Sequence, residues 1–460
     1  TGICLGAFIF TAAAVTLGMI FIRMSGRMSA KAVIGGAVTV ILILPAVFSA
    51  NHDMRLLAGF SAFASYIVWI TSAFGLMPKS DFGMAVSCLS GVFFRPFSRF
   101  GDVFRATSGG IRNGAGKKML AAALGLVAAV PLTVVVLINL AMADRNFMDL
   151  FDRMTSSWSD ALWADCISAV LGLLAAMYLF GLLSSSRLSF VREREAKHFV
   201  PAGFTLSLTI PLMICYILFF AVQIPYYLSA FGGVLPEGYS FSEYAVSGFF
   251  ELIRVAVINA TICLGVTVFA DGKIIRRVTV TVLGAMTLIL LATAASKLCL
   301  YIDTYSLTRK RVYAGIALVF IAAFFILMIL RQYLDRLRLT ACSLILCALF
   351  SVTMTFPDWD GIIAKSLLGR AVDGNQSDLT AIADLSNSPM VNECLIEVWH
   401  EGEWPVSRAA ENSLSIRAKM YRIHDADPET PLETVLEFNA AEYRSRDILY
   451  SIYPQSDPTV

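Results

Sequence analysis

The sequence predicts an all-α integral membrane protein with about ten transmembrane helices, followed by a small, mostly helical, acidic C-terminal domain. Of the 460 residues, 57% are hydrophobic and only 15% are charged, which is too apolar for a single soluble core. The formal charge also changes sign along the chain, because residues 1–356 carry +12 and residues 357–460 carry −10. We therefore expect a polytopic membrane domain over 1–356 and an acidic domain over 357–460.

Ten stretches of the first domain approach the roughly 20 apolar residues that a membrane-spanning helix needs. The predicted spans cover residues 2–22, 32–49, 56–77, 119–143, 163–183, 204–224, 250–270, 278–302, 312–330 and 339–356. The first stretch has no basic leader, so we interpret it as a true span rather than a signal peptide. Such a chain is expected in the lipid bilayer of the cell membrane as a multi-pass protein.

The distribution of Lys and Arg among the connecting loops predicts the orientation. The five loops that follow odd-numbered spans hold 20 Lys and Arg, whereas the four loops that follow even-numbered spans hold 6. Basic residues are retained on the cytoplasmic side, so both termini and the acidic domain are predicted to be extracytoplasmic. One loop disagrees, because "SLTRKR" at 306–311 puts three basic residues on the predicted outer side.

The seventh span begins with two charges of opposite sign. In "YSFSEYAVSGFFELIRVAVIN" (239–259), Glu251 and Arg254 stand one helical turn apart and can pair with each other. Lys297 and Asn139 are expected at a similar depth, so these four residues form a predicted polar cluster. We expect Glu251 to pair with Lys297 and Arg254 to face a bundle interior or a water-filled recess, since an unpaired charge in hydrocarbon costs roughly 2.5 to 3.5 kcal/mol. The cluster either stabilises the bundle or forms a pocket for an ion or solute.

The basic loop after the third span contains a second pattern, "FFRPFSRFGDVFR" (93–105). Pro96 suits a first helical turn. In the helix that would follow, three phenylalanines share a face and two arginines flank it: Phe97, Phe100, Phe104, Arg99 and Arg105. This pattern is typical of a helix that lies in the membrane interface, and a docking surface for a cytoplasmic partner is the alternative.

Motifs for catalysis or cofactor binding are not found. The nine Cys and four His occur singly, so neither a metal site nor a disulfide framework is predicted. The string "GGIRNGAGKKM" (109–119) lacks the first Gly and the hydroxyl of a P-loop, so no nucleotide or other cofactor is expected. In the acidic domain, Ser377 and Ser388 precede plausible first helical turns, and the negative charge argues against nucleic acid or anionic lipid as a partner of this domain.

Three strings occur in order along the chain: "FGGVLPEGYSFSEYAVSGFFELIRVAVIN" (231–259), "YSLTRKRVYAGIALV" (305–319) and "PDWDGIIAKSLLGRA" (357–371). Through them the chain resembles the bacterial membrane family catalogued as domain of unknown function 4173, which is related to domain of unknown function 4153. The resemblance covers about residues 190–375. It implies an integral membrane protein of bacteria with no agreed activity, substrate or catalytic residue. It also suggests that the basic residues of "SLTRKR" serve a purpose other than topology.

Three classes of function remain open. A membrane enzyme would need a convergent set of catalytic groups, which the spans do not offer beyond Glu251. A secondary transporter suits the span count, but Pro45, Pro131 and Pro211 do not fall at mirrored positions and no internal repeat occurs. We therefore favour a non-enzymatic protein that presents the outer acidic domain and the inner amphipathic helix to envelope or signalling partners. The alternative is a secondary transporter, or a solute-binding or ion-binding membrane protein with an outward-facing polar pocket.

Overall fold

The regular structure of the chain is helical. The computed structural model describes residues 4–99, 133, 136, 160–189, 198–231, 249–426 and 438–453. Within these ranges the only β-type pairing is an isolated bridge between Val200 and Ala270. The helices of the first domain are α1 Leu5–Met24, α2 Ala30–Ile43, α3 Pro45–Phe48, α4 His52–Ala73, α5 Asp81–Phe93, α6 Arg95–Ser98, α7 Asp160–Leu188, α8 Ala202–Phe231, α9 Phe249–Phe269, α10 Lys273–Tyr305, α11 Arg309–Tyr333 and α12 Leu339–Thr355.

The described helices provide eight segments long and apolar enough to cross a membrane, with α2 and α3 together forming one of them. A ninth is obtained if α12 is joined to the next helix, α13 (Trp359–Val372), across a bend of 48°. On its own α12 has only 17 residues, which is short for a membrane of ordinary thickness. Apart from residues 133 and 136, the predicted span 119–143 lies outside the described residues, so the predicted count of ten is not confirmed.

The spans form two packed groups. In the first, α4 packs against α1, α2 and α7 around a buried core that contains Tyr66, Trp69 and Ile70. In the second, α10 packs against α8, α9 and α11 around Leu283, Leu290 and other buried residues. Helix α12 contacts both α4 and α11, so it connects the two groups.

Glycines make room for Trp69 at the centre of the first group. A Cβ atom at Gly35 of α2 would stand 2.4 Å from Cδ1 of Trp69, and one at Gly18 of α1 would stand 2.9 Å from Cη2 of the same ring. The indole Nε1 donates to the Ala32 carbonyl at 2.6 Å. Small residues therefore let three helices approach closely around one large ring, as is common between membrane helices.

The acidic region folds into five described helices around its own core. They are α13 Trp359–Val372, α14 Gln376–Ala383, α15 Pro389–Glu401, α16 Val406–Ala426 and α17 Ala440–Ile452. The core includes Ile363, Leu395 and Leu414. Ser388 caps α15 by accepting from the Val391 amide.

The cap of α14 differs from the sequence-based expectation. Asn375, rather than Ser377, precedes its first turn, because the Asn375 side chain accepts from the amides of both Ser377 and Asp378. The helix therefore begins at Gln376, ahead of the serine that the sequence pattern singled out.

The two ends of the span bundle carry different contacts. At one end, here called the domain end, the acidic region contacts Asn51, Arg55 and Arg309. At the other, here called the basic end, the start of α5 meets the end of α11 and the start of α12: Arg331 pairs with Asp81, and the Thr340 hydroxyl donates to the Asp81 carbonyl. The contact surface between the acidic region and the span ends at the domain end, here called the junction, contains buried charged residues. It is therefore the candidate site.

Candidate functional site

The carboxylate of Asp360 joins the acidic region to two span ends. Its side chain is only 1% exposed. Arg309 at the start of α11 donates from Nε to Oδ1 at 2.8 Å and from Nη2 to Oδ2 at 3.0 Å. Asn51 donates its amide to Oδ2 at 3.0 Å, and the Ser386 backbone N–H donates to the same oxygen at 3.3 Å. We call these four residues the Asp360 clamp; bidentate pairing to Arg makes it geometrically specific.

The local sequence explains how Asn51 reaches this position. It is the N-cap of α4, and its side-chain oxygen accepts from the amides of Asp53 and Met54. The side-chain nitrogen is then left to donate to Asp360 and to the Tyr313 hydroxyl at 3.2 Å. A single amide therefore caps a span and links it to the acidic region.

A second set of contacts, the Arg55 clamp, consists of Arg55, Glu442 and Asn439. Arg55 Nη1 lies 2.7 Å from Glu442 Oε1, and the same nitrogen is 3.3 Å from the Cys4 sulfur. Asn439 caps α17 through its oxygen and donates its nitrogen to the carbonyls of Ala46 and Ser49. Helix α17, the last one described, is thereby fixed to the ends of the first spans.

The two clamps bury charges of opposite sign. In the Asp360 clamp the buried partner is the acidic region's carboxylate, while Arg309 is 31% exposed. In the Arg55 clamp the buried partner is the span's guanidinium, at 8% exposure, while Glu442 is 35% exposed. Removing the exposed partner of either pair would leave a buried charge uncompensated, which is strongly destabilising.

The loop "SLTRKR" makes polar contacts with the acidic region through Ser306 and Arg309. Arg309 belongs to the Asp360 clamp, and the Ser306 hydroxyl donates to Asp378 Oδ1 at 3.4 Å. Arg370 of α13 also donates to the Ser306 hydroxyl and pairs with Asp378 at 3.2 Å. Ser306 has a φ of +70°, a conformation that costs a non-glycine residue energy and persists only when its surroundings hold it. The loop that disagrees with the charge rule is thus part of the junction.

Inside the acidic region a buried arginine shapes the backbone that reaches Asp360. Arg417 donates to the carbonyls of Ala383 and Leu385 and to the Asn392 side chain, which holds the turn that precedes the Ser386 amide. Burial lowers the pKa of Arg417 to about 10, so the guanidinium stays charged at neutral pH. Burial also raises the pKa of the neighbouring Tyr421 to about 12, so its hydroxyl stays neutral.

A polar cavity of about 490 Å³ lies between the two clamps. From the span side it is lined by His52, Asp53 and Arg309, and from the acidic region by Asp384 and Glu442. These groups offer hydrogen bonds and charges of both signs to a small polar solute. Among the described residues, no group of three His, Cys, Asp or Glu side chains is arranged to hold a metal ion.

The predicted polar cluster is only partly within the described residues. Glu251 and Arg254 form an ion pair with each other on α9, and their side chains are 59% and 70% exposed. The orientation of Arg254 toward a bundle interior or a water-filled recess stays a prediction. Pairing of Glu251 with Lys297 stays a prediction, and Asn139 lies outside the described residues.

The predicted interface helix is described only at its start. Pro96 stands in the first turn of α6, which ends at Ser98. Phe97 is exposed, with its ring 6.0 Å from that of Tyr178 on α7. Arg99 follows α6, while Phe100, Phe104 and Arg105 lie outside the described residues. The interfacial helix therefore stays a prediction.

Sequence patterns singled out none of the clamp residues as a site. Arg309 and Asp360 did fall within two of the three strings that carry the family resemblance. Their opposite charges could have indicated that the two residues pair with each other. No local pattern marks Asn51, Arg55 or Glu442, because each acts through a residue hundreds of positions away in the chain.

The apolar spans and the helical fold define a multi-pass membrane protein. The family model described as "Domain of unknown function (DUF4153)" matches residues 7–390, and the chain belongs to this family. The three strings quoted above resemble a related family, domain of unknown function 4173. The resemblance to that family is not confirmed. Comparison with curated proteins and with solved structures finds no match in either. The matched range includes Asn51, Arg309 and Asp360 but ends before Glu442.

Proposed function

We propose that this protein is a non-enzymatic membrane protein that holds its acidic helical domain in a fixed orientation for envelope or signalling partners. The observation that carries the proposal is the burial of Asp360 against Arg309 and Asn51. A domain on a flexible tether would need no buried charges at its base, and burying them is favourable only when geometry and partners are well matched. Fixed presentation is therefore the role that the junction fits best.

The surface of the acidic domain offers a place for a partner. Trp404 is 80% exposed, and Ile416 and Met420, one turn apart on α16, are 60% and 62% exposed. Ile416 and Met420 are neighbours on one face of the helix, and adjacent exposed apolar side chains on a polar domain are typical of protein–protein contact sites. The partner that suits them is an envelope or membrane protein, with the predicted segment around Phe97 and Arg99 available to a partner on the other side.

In this proposal the acidic domain lies on the extracytoplasmic side of the cell membrane, as the unequal distribution of Lys and Arg among the loops predicts. The test is labelling of single cysteines with a membrane-impermeant maleimide in spheroplasts, after the native cysteines are replaced. Trp404→Cys on the domain should label before lysis, and Lys273→Cys at the basic end should label only after lysis. Labelling of Lys273→Cys before lysis and of Trp404→Cys only after lysis would show that the protein has the opposite orientation.

Partner binding is tested by photo-cross-linking in living cells. A photoreactive residue at Ile416 or Trp404 should give a discrete adduct with another protein, whereas one at the exposed but polar Lys365 of α13 should not. Loss of the adduct in an Arg309→Met background would show that presentation requires the clamp. Absence of an adduct at both Ile416 and Trp404 would count against the proposal.

The polar cavity of the junction supports a second candidate, a solute-binding membrane protein with an outward-facing pocket. The cavity is large enough for a small polar molecule, and Glu251 is not among the residues that line it. Transport through the spans has less support. Asn259, in the middle of α9, is fully buried: it accepts from the Tyr216 hydroxyl at 2.7 Å and donates to Thr287 at 2.8 Å.

A further inference from the structure

A second polar cavity, of about 470 Å³, lies at the basic end, far from the junction. Five elements meet around it: the start of α5, the end of α9, the start of α10, the end of α11 and the start of α12. Its lining includes the apolar side chains of Phe82, Leu264, Val268 and Leu339. It also includes the basic side chains of Lys273, Arg276 and Arg331. The cavity is therefore amphipathic and stands where spans end.

The charges of this cavity leave an excess of positive potential. Arg331 pairs with Asp81 at 2.8 Å, and Lys273 pairs loosely with Asp335 at 3.4 Å, with both side chains mostly exposed. Among the described contacts, Arg276 forms no ion pair and donates only to the Ala270 carbonyl at 3.1 Å. Helices α10 and α12 both begin at the cavity without a side-chain cap, and their first turns add further positive potential.

Asp81 offsets part of this positive potential. Its Oδ2 is bound by Arg331, and its Oδ1 is buried and closed off from the cavity. The ligand that fits the remaining positive potential carries an anionic group.

Exposed apolar surface continues from the mouth of the cavity. Phe199 and Phe269 lie with their ring centres 5.5 Å apart and are 69% and 39% exposed, and Ile274 at the start of α10 is 78% exposed. Such a surface suits acyl chains next to a headgroup. A free phosphate would use the basic side chains and leave the apolar surface unused.

We propose that the basic-end cavity binds the headgroup of an anionic phospholipid, whose phosphate lies against Arg276 and Lys273. The acyl chains follow Phe199 and Phe269. The contact is a specific lipid site between helices, distinct from the general attraction of basic loops to an anionic membrane.

The experiment is a lipid titration of the delipidated full-length protein, with bound lipid counted by native mass spectrometry. Phosphatidylglycerol should bind more tightly than phosphatidylcholine, and Arg276→Gln should weaken its binding roughly tenfold, as expected for a hydrogen bond to a charged group. The matched control is Arg187→Gln, because Arg187 stacks over Phe21 and does not line the cavity. Its effect should stay within about twofold.

A further probe separates the sources of the anion. Excess inorganic phosphate should not displace phosphatidylglycerol; displacement would identify free phosphate as the ligand and overturn the lipid assignment. If Arg276→Gln does not fold, Lys273→Gln replaces it, since the Lys273 side chain is mostly exposed. Unchanged phosphatidylglycerol binding in the variant that folds would refute the proposal.

Discussion

Replacing Arg309 with Met should destabilise the protein more than replacing Asp360 with Asn, although the two residues form one ion pair. Arg309→Met leaves the Asp360 carboxylate, 1% exposed, without its counter-charge in the junction. The loss of one partner of a buried pair costs about 3–5 kcal/mol. Asp360→Asn instead leaves a guanidinium that is already 31% exposed and can be solvated, so the expected cost is about 1–3 kcal/mol, in the range of an impaired buried hydrogen bond.

The double variant distinguishes pairing from general damage. When both charges are removed, no buried charge is left uncompensated, so the cost should fall below that of Arg309→Met alone. Lys310→Met is the matched control: it removes a basic residue from the same loop, but Lys310 is exposed, and its effect should stay within about 0.5 kcal/mol.

The free energy of unfolding is measured by SDS titration in mixed micelles, and amide hydrogen exchange over 357–372 locates the change. Exchange should accelerate in α13 for Arg309→Met and remain near the wild-type rate for Lys310→Met. The reasoning fails if Asp360→Asn costs as much as Arg309→Met, since burial of the carboxylate would then not determine the cost. It also fails if neither variant differs from Lys310→Met.

Four further outcomes are expected. Burial raises the pKa of the Cys394 thiol to about 11, so maleimide labelling at pH 8 should be slower than for a free cysteine by roughly two orders of magnitude and should recover in SDS; fast native labelling would contradict the buried position. Trp69→Ala should lower the free energy of unfolding by about 3–5 kcal/mol, measured by SDS titration. Asn259→Cys should resist impermeant maleimide from both sides, and labelling would instead support a transport path. Glu251→Gln and Arg254→Gln should each change stability by less than about 1 kcal/mol, because the pair is exposed; a large loss of folded yield would support the predicted pairing with Lys297.

Hydropathy was sufficient to find most of the spans. The predicted span 2–22 corresponds to α1, and 250–270 corresponds to α9 with bounds that differ by one residue at each end. These agreements follow from a local cause, since every backbone group in hydrocarbon must be bonded within its own helix. The predicted 339–356 matches α12 in position, but composition does not indicate the 48° bend that follows it.

The candidate site was much less accessible from the sequence. Glu251 and Arg254 drew attention because charge within an apolar run is conspicuous, yet the structure leaves both exposed. Asp360 was one of 18 acidic residues in its region, and nothing local separates it from the others. Its burial depends on Arg309 and on Asn51. Asn51 is separated from Asp360 by 309 positions in the sequence.

The sequence by itself determined the class of protein, most of the spans and the division into a basic membrane part and an acidic C-terminal part. These properties depend on apolar length and charge, which are local sums over neighbouring residues. Only the tertiary structure decided which charges are buried, because burial depends on the elements that pack around a side chain. Asp360 and Arg55 became clamp residues for this reason, while Glu251 and Arg254, more conspicuous in the sequence, remained at the surface.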